Sequence, residues 1–132
     1  MMRTAILLLS LLALPAAAQD RPAIETTITG QLDAFTARDV EQAFQFASPM
    51  IQRLFNSPRN FGHMVEFGYP MVWDNSDRRF LGLSPKADRW VQRVMVTDTR
   101  GSIHILEYYM IETEDGWRID GVDLVPSPAP SV

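Results

Sequence analysis

Two histidines and three tyrosines are the residues of this 132-residue chain best suited to chemistry. His104 stands in the apolar run from Ser102 to Glu112. An imidazole there could serve as a general base, although its commoner role is a hydrogen-bonded, half-buried one. Tyr108 and Tyr109 lie in the same run. They could donate to a developing oxyanion, or simply fill a sheet as residues of high strand propensity. His63 and Glu66 are three apart on one helix face, a spacing that can supply two metal ligands. Zinc needs three or four, and the chain has no cysteine and no further ligand close by, so the sequence calls for no metal. Asp120 and Asp123 flank Gly121 and read as solvated rim residues. Arg78 and Arg79 follow an acidic turn, where local ion pairs or the guarding of a sheet edge account for them. No glycine-rich phosphate loop and no nucleophile elbow is present, so no cofactor is expected and no catalytic residue is assigned. Tyr69, Trp73, Trp90, His104 and Tyr108 are the candidates for lining a ligand pocket.

The elements that must position these residues are clearest at the C-terminal end. Trp117 and Ile119 lie two apart, Gly121 breaks the alternation, and Val122 and Leu124 take over the apolar positions. A glycine that shifts the inward parity by one predicts a β-bulge in a final strand. Arg89–Thr97 and Ser102–Glu112 form two longer strands around the turn Asp98-Thr99-Arg100-Gly101. Arg79–Leu83 reads as a short edge strand. The longest strand is apolar on both faces: Leu106, Tyr108 and Met110 on one side, Ile103, Ile105, Tyr109 and Ile111 on the other. We assign the His104 and Tyr108 face inward, beside the aromatics Trp90, Trp117 and Tyr69.

The first half carries helical periodicity. Ile24, Ile28, Leu32 and Phe35 share one face and predict a helix over about Pro22 to Thr36, weakened by Gly30 and three threonines. Asp39 caps a second helix, with Gln42 at the third position of a capping box. Ser48-Pro49 and Ser57-Pro58 each restart the chain as a cap followed by a first-turn proline. Gly68 is placed to end the last of these helices, and Met71–Trp73 reads as short and extended or turn-like before the turn at Asp74–Asp77. Helices first and an antiparallel sheet of about four strands afterwards make an α+β domain, with the helices on the concave face of the sheet.

The N-terminus predicts export. Arg3 precedes an apolar run from Thr4 to Leu14, Pro15 ends it, and Ala16-Ala17-Ala18 offers a cleavage site before Gln19. This is a secretory signal peptide over residues 1–18, too short to span a bilayer. Residues 19–125 then form one domain, and 126–132 is a proline-rich tail expected to be disordered. A periplasmic or secreted location follows, with no membrane attachment after cleavage. The net charge of −4 and the single lysine, Lys86, offer no basic stripe, which argues against a nucleic-acid partner.

This order of features resembles the nuclear transport factor 2-like superfamily, the cone-shaped α+β fold that includes SnoaL-like cyclases. The residues that carry the likeness are the first helix ending in Phe35, the step Ala37-Arg38-Asp39, the hairpin from Trp90 through Tyr108, and the closing Gly116-Trp117-Arg118-Ile119-Asp120-Gly121. Within it, the stretch from Ser57-Pro58 to Gly68-Tyr69-Pro70-Met71-Val72-Trp73 is similar to a bacterial family known as domain of unknown function 4864. The resemblance implies a fold and no particular activity. Three functions of different kinds follow: a binding module for a small apolar or aromatic molecule, an interaction domain of the cell envelope with a filled cone, or an isomerase, dehydratase or hydrolase using His104 or a buried carboxylate with Tyr108. The second apolar face of the long strand predicts a homodimer through Ile103, Ile105, Tyr109 and Ile111.

Overall fold

The computed structural model describes Ala5 and residues 16–126. Most of the expected signal segment and residues 127–132 of the expected tail lie outside the described residues. Helix α1 (Ala16–Thr36) comes first, followed by α2 (Val40–Gln45), α3 (Pro49–Phe55), α4 (Pro58–Gly68) and the single turn α5 (Pro70–Trp73). Four strands complete the chain: β1 (Asn75–Lys86), β2 (Arg89–Asp98), β3 (Ile103–Thr113) and β4 (Gly116–Val125). They form one antiparallel, curved, open sheet in the order β1-β2-β3-β4. The fold is α+β, with the helices stacked on one face of the sheet.

The helices start where short polar side chains satisfy their first N–H groups. Asp39 accepts from the backbone of Gln42, Ser48 from Ile51, and Ser57 from Asn60. The chain leaves α3 through Asn56, whose left-handed φ of 70° reverses direction before the next cap. Two glycines mark close approaches between helices. A Cβ on Gly30 would fall 2.5 Å from the Phe46 ring, and one on Gly62 would fall 2.6 Å from Val40 Cγ1. Gly30 therefore weakens α1 locally and lets the chain after α2 pack against it.

Ile24, Ile28, Leu32 and Phe35 of α1 are fully buried against the inward residues of the sheet, Val94, Val96, Leu106, Tyr108 and Met110. The inward assignment of the Tyr108 face is therefore correct. The bulge lies where Gly121 predicts it. Tyr109 pairs with Gly121 and Met110 with Ile119, which leaves Asp120 as the extra residue of β4.

Four local expectations need correction. Helix α1 begins at Ala16, not near Pro22, and Pro22 lies inside it. Gly68 does not end α4 in a left-handed turn; it is the last helical residue, and Tyr69 caps the helix at φ −134°. Pro70–Trp73 is a helical turn, because a proline at a first helical position fits the helix as well as it fits a turn. Strand β1 is also longer than Arg79–Leu83, because pairing with β2 recruits the polar flanks Asn75–Arg78 and Ser84–Lys86.

Candidate functional site

A cavity of about 410 Å³ lies between the helices and the sheet. Gln31 and Phe35 of α1 and Val72 of α5 line one side. Ala47 and the α3 residues Ile51, Leu54 and Phe55 line another, beside Phe61, Met64 and Val65 of α4. Tyr69 closes the helical wall. The sheet supplies Tyr108 and Tyr109 of β3, Ile119, Gly121, Val122 and Asp123 of β4, and Arg89. Tilted ring contacts of Phe61 with Phe35 (5.9 Å between centroids), Phe44 (5.5 Å) and Phe55 (5.9 Å) hold the apolar wall. The rim is open and apolar where Leu54 of α3 is 68% exposed.

The bulge builds one edge of this cavity. Asp120, the extra residue, accepts from Ser48 Oγ at 2.8 Å and from Arg89 at 3.3 Å. Ser48 also caps α3, and its backbone N–H donates to Ile119 at 2.8 Å. A single buried serine thus ties the helix that carries Ile51, Leu54 and Phe55 to the sheet. Arg89 lies 4.5 Å over the Tyr109 ring, and Lys86 lies 5.4 Å over it. The Tyr109 hydroxyl donates to Asp123 at 2.7 Å, and that hydrogen bond is the main cause holding its pKa above the usual tyrosine range.

Tyr108 is different. It is fully buried, with Gln92 opposite on β2 and Val122 opposite on β4. Its hydroxyl has no hydrogen-bond partner among the described residues. Burial pushes its pKa well above the ordinary value, against the opposing charge of Arg78, so it is a neutral phenol and a donor. Among the described residues two other buried side-chain atoms lack partners, Arg78 Nη1 and Gln92 Oε1, and neither residue lines the cavity.

Of the five pocket candidates, the structure brings Tyr69 and Tyr108 together at the cavity. The Tyr69 hydroxyl crosses to β4 and donates to Val122 at 2.9 Å. Trp73 sits elsewhere, against Phe35 at 6.0 Å and under the Arg38 guanidinium at 4.3 Å. Trp90 is half-buried opposite Met110. His104 is at the far end of the sheet, where its Nε2 pairs with Asp98 at 2.9 Å. Asp98 also accepts from the backbone of Arg100 and Ser102, and its pKa is lowered, chiefly by the His104 hydrogen bond. His63 and Glu66 remain on α4, and no group of three His, Asp or Glu side chains gathers among the described residues.

Sequence reasoning missed most of the apolar wall, because the apolar residues of the helices started by Ser48-Pro49 and Ser57-Pro58 show only their spacing. Which of them face a void and which face neighbours is decided by how the helices splay from the sheet. The Ser48–Asp120 clamp had no signal beyond the Ser-Pro cap and the bulge glycine, each legible alone. Neither histidine lines the cavity, and the carboxylate in its lining, Asp123, is engaged by Tyr109.

No described helix is long and apolar enough to cross a membrane. Neither a curated protein nor a solved structure matches the chain. One family does match, over residues 17–132, which is nearly the whole sequence. The chain belongs to the family described as Domain of unknown function (DUF4864).

Proposed function

We propose that this protein is an exported binding domain of the nuclear transport factor 2-like architecture, which takes a small apolar or aromatic molecule into the cavity between its helices and its sheet. The carrying observation is the cavity itself. Its 410 Å³ falls in the range of small-molecule sites, about 300–1,000 Å³, and such sites are mainly apolar with a few placed polar groups. The enzymatic alternative has less support, because His104 is paired with Asp98 outside the cavity and the lining carboxylate, Asp123, accepts from Tyr109. A neutral fluorescent probe such as phenylnaphthylamine tests the binding role. Saturable one-to-one binding, reduced by filling the cavity with Val122→Phe, is the expected result. No binding to the wild-type protein would refute it.

Export is supported by the leader and by Pro22. Inside a helix a proline removes a hydrogen bond and kinks the chain. If residues 1–18 are cleaved, Pro22 becomes the fourth residue from the new N-terminus. The first four N–H groups of a helix have no partner in any case, so the proline then costs little. Intact mass of exported protein checks this; a mass that includes residues 1–18 would defeat it.

The outer face of the sheet supports a homodimer. Ile103 is 59% exposed there, and Ile105, Ile111 and Met95 are half-buried, while Arg93 neutralises Glu107 at 3.0 Å. Tyr109 belongs to this face less than the sequence suggests, because Arg89 and Lys86 of its own chain cover the ring.

A further inference from the structure

We infer that the ligand of the cavity is an uncharged apolar molecule with one carbonyl-type oxygen, which accepts a hydrogen bond from the Tyr108 hydroxyl; this rests on the binding role proposed above. Buried polar groups in folded proteins are almost always paired, and one left open beside a cavity calls for a partner from outside the chain. Tyr108 lines the cavity, is wholly buried, and finds no acceptor among the described residues.

Each other polar side chain of the lining makes at least one hydrogen bond. Tyr69 donates to Val122, Gln31 donates to Ala43 at 3.1 Å, and Tyr109 donates to Asp123. Arg89 is paired with Asp120. One open donor in an apolar space selects one acceptor on the ligand. Burial keeps the Tyr108 phenol protonated, so the group presents a proton and does not seek one. A carboxylate on the ligand would need a cation within reach. The cation in the lining, Arg89, is already paired with Asp120 and stacked over the Tyr109 ring, and Arg78, whose charge acts on Tyr108, is paired with Asp33 and does not line the cavity. The cavity volume of 410 Å³ is many times the ~30 Å³ that a molecule occupies in liquid water, so the ligand has on the order of ten to twenty non-hydrogen atoms.

Three naphthalenes of nearly equal shape test this: acetylnaphthalene with a ketone, ethylnaphthalene with none, and naphthoate with a charge. Affinities are read by calorimetry on the wild-type protein and on Tyr108→Phe, which removes only the hydroxyl. The wild type should hold the ketone about tenfold tighter than the hydrocarbon, the size of one net hydrogen bond, and Tyr108→Phe should shrink this preference to about twofold or less. The infrared carbonyl stretch of the bound ketone should move to lower frequency in the wild type and not in the variant. Hydrocarbon and ketone bound equally by both proteins would overturn the inference and leave the cavity's binding role standing. Naphthoate bound more tightly than the ketone would overturn the uncharged acceptor. Failure of all three to bind the wild type would overturn the binding role and this inference with it.

Discussion

Replacing Ser48 by alanine tests how the cavity wall is held. Ser48 is fully buried and its hydroxyl acts twice. It accepts from Ile51 N–H at 3.3 Å as the cap of α3, and it donates to the Asp120 carboxylate at 2.8 Å. Losing a serine cap costs about 0.5–2 kcal/mol, typically about 1. A hydrogen bond to a charged group adds roughly 1.5–3 kcal/mol when fully realised. Asp120 keeps Arg89 as a partner after the change, which favours the lower end of that range. The expected loss is therefore about 2–3 kcal/mol. The structure contains its own control. Ser57 caps α4 through Asn60 N–H at 3.1 Å, and its hydroxyl makes no second hydrogen bond to a carboxylate among the described residues. Ser57→Ala should cost only the capping share, about 1 kcal/mol. Urea unfolding followed by tryptophan fluorescence measures both, with unchanged slope as the sign that folded and unfolded states remain comparable. A double-mutant cycle with Asp120→Ala should show coupling of about 1 kcal/mol or more between the two side chains. If Ser48→Ala costs no more than Ser57→Ala, the bulge does not clamp α3 to the sheet.

Trp117→Ala should destabilise by about 3–5 kcal/mol, since the side chain is only 8% exposed in the core; a urea-measured loss below about 1 kcal/mol would place it on the surface. Gly62→Ala should destabilise by about 1–2 kcal/mol, because the close contact with Val40 outweighs the gain of about 1 kcal/mol in helix propensity, and thermal unfolding would reveal a stabilised variant if the contact relaxes freely. The pKa of Asp98 is lowered in the fold, so its stabilising share is complete above the unfolded value of 3.8 and is lost as pH falls through the lower folded value. Asp98→Asn should therefore flatten the acid limb of the stability curve below that pH, and an unchanged limb would show that the His104 pair contributes nothing. Ile105→Lys should turn a sheet-mediated dimer into a monomer by light scattering, and a dimer that survives it is held by another face.

The sequence alone determined the class of the fold and most of its punctuation. Asp39, Ser48-Pro49 and Ser57-Pro58 start helices because short-range chemistry, a side-chain oxygen over free N–H groups, acts within four residues. The Gly121 bulge was legible for the same reason, since alternation along a strand is a local property, whereas two apolar faces on β3 left the choice of the inward one to packing. The limits were also local. Pro70 fits both a turn and a first helical position, and only packing of Met71 and Val72 into the core selects the helix. Tertiary structure decided everything that depends on distance across the chain. It left a cavity beside Tyr108, placed Tyr69 at it, and kept Trp73, Trp90 and His104 away from it. It brought Ser48 to Asp120, 72 positions apart. No periodicity encodes such a meeting, because it depends on how the helices share one curved sheet.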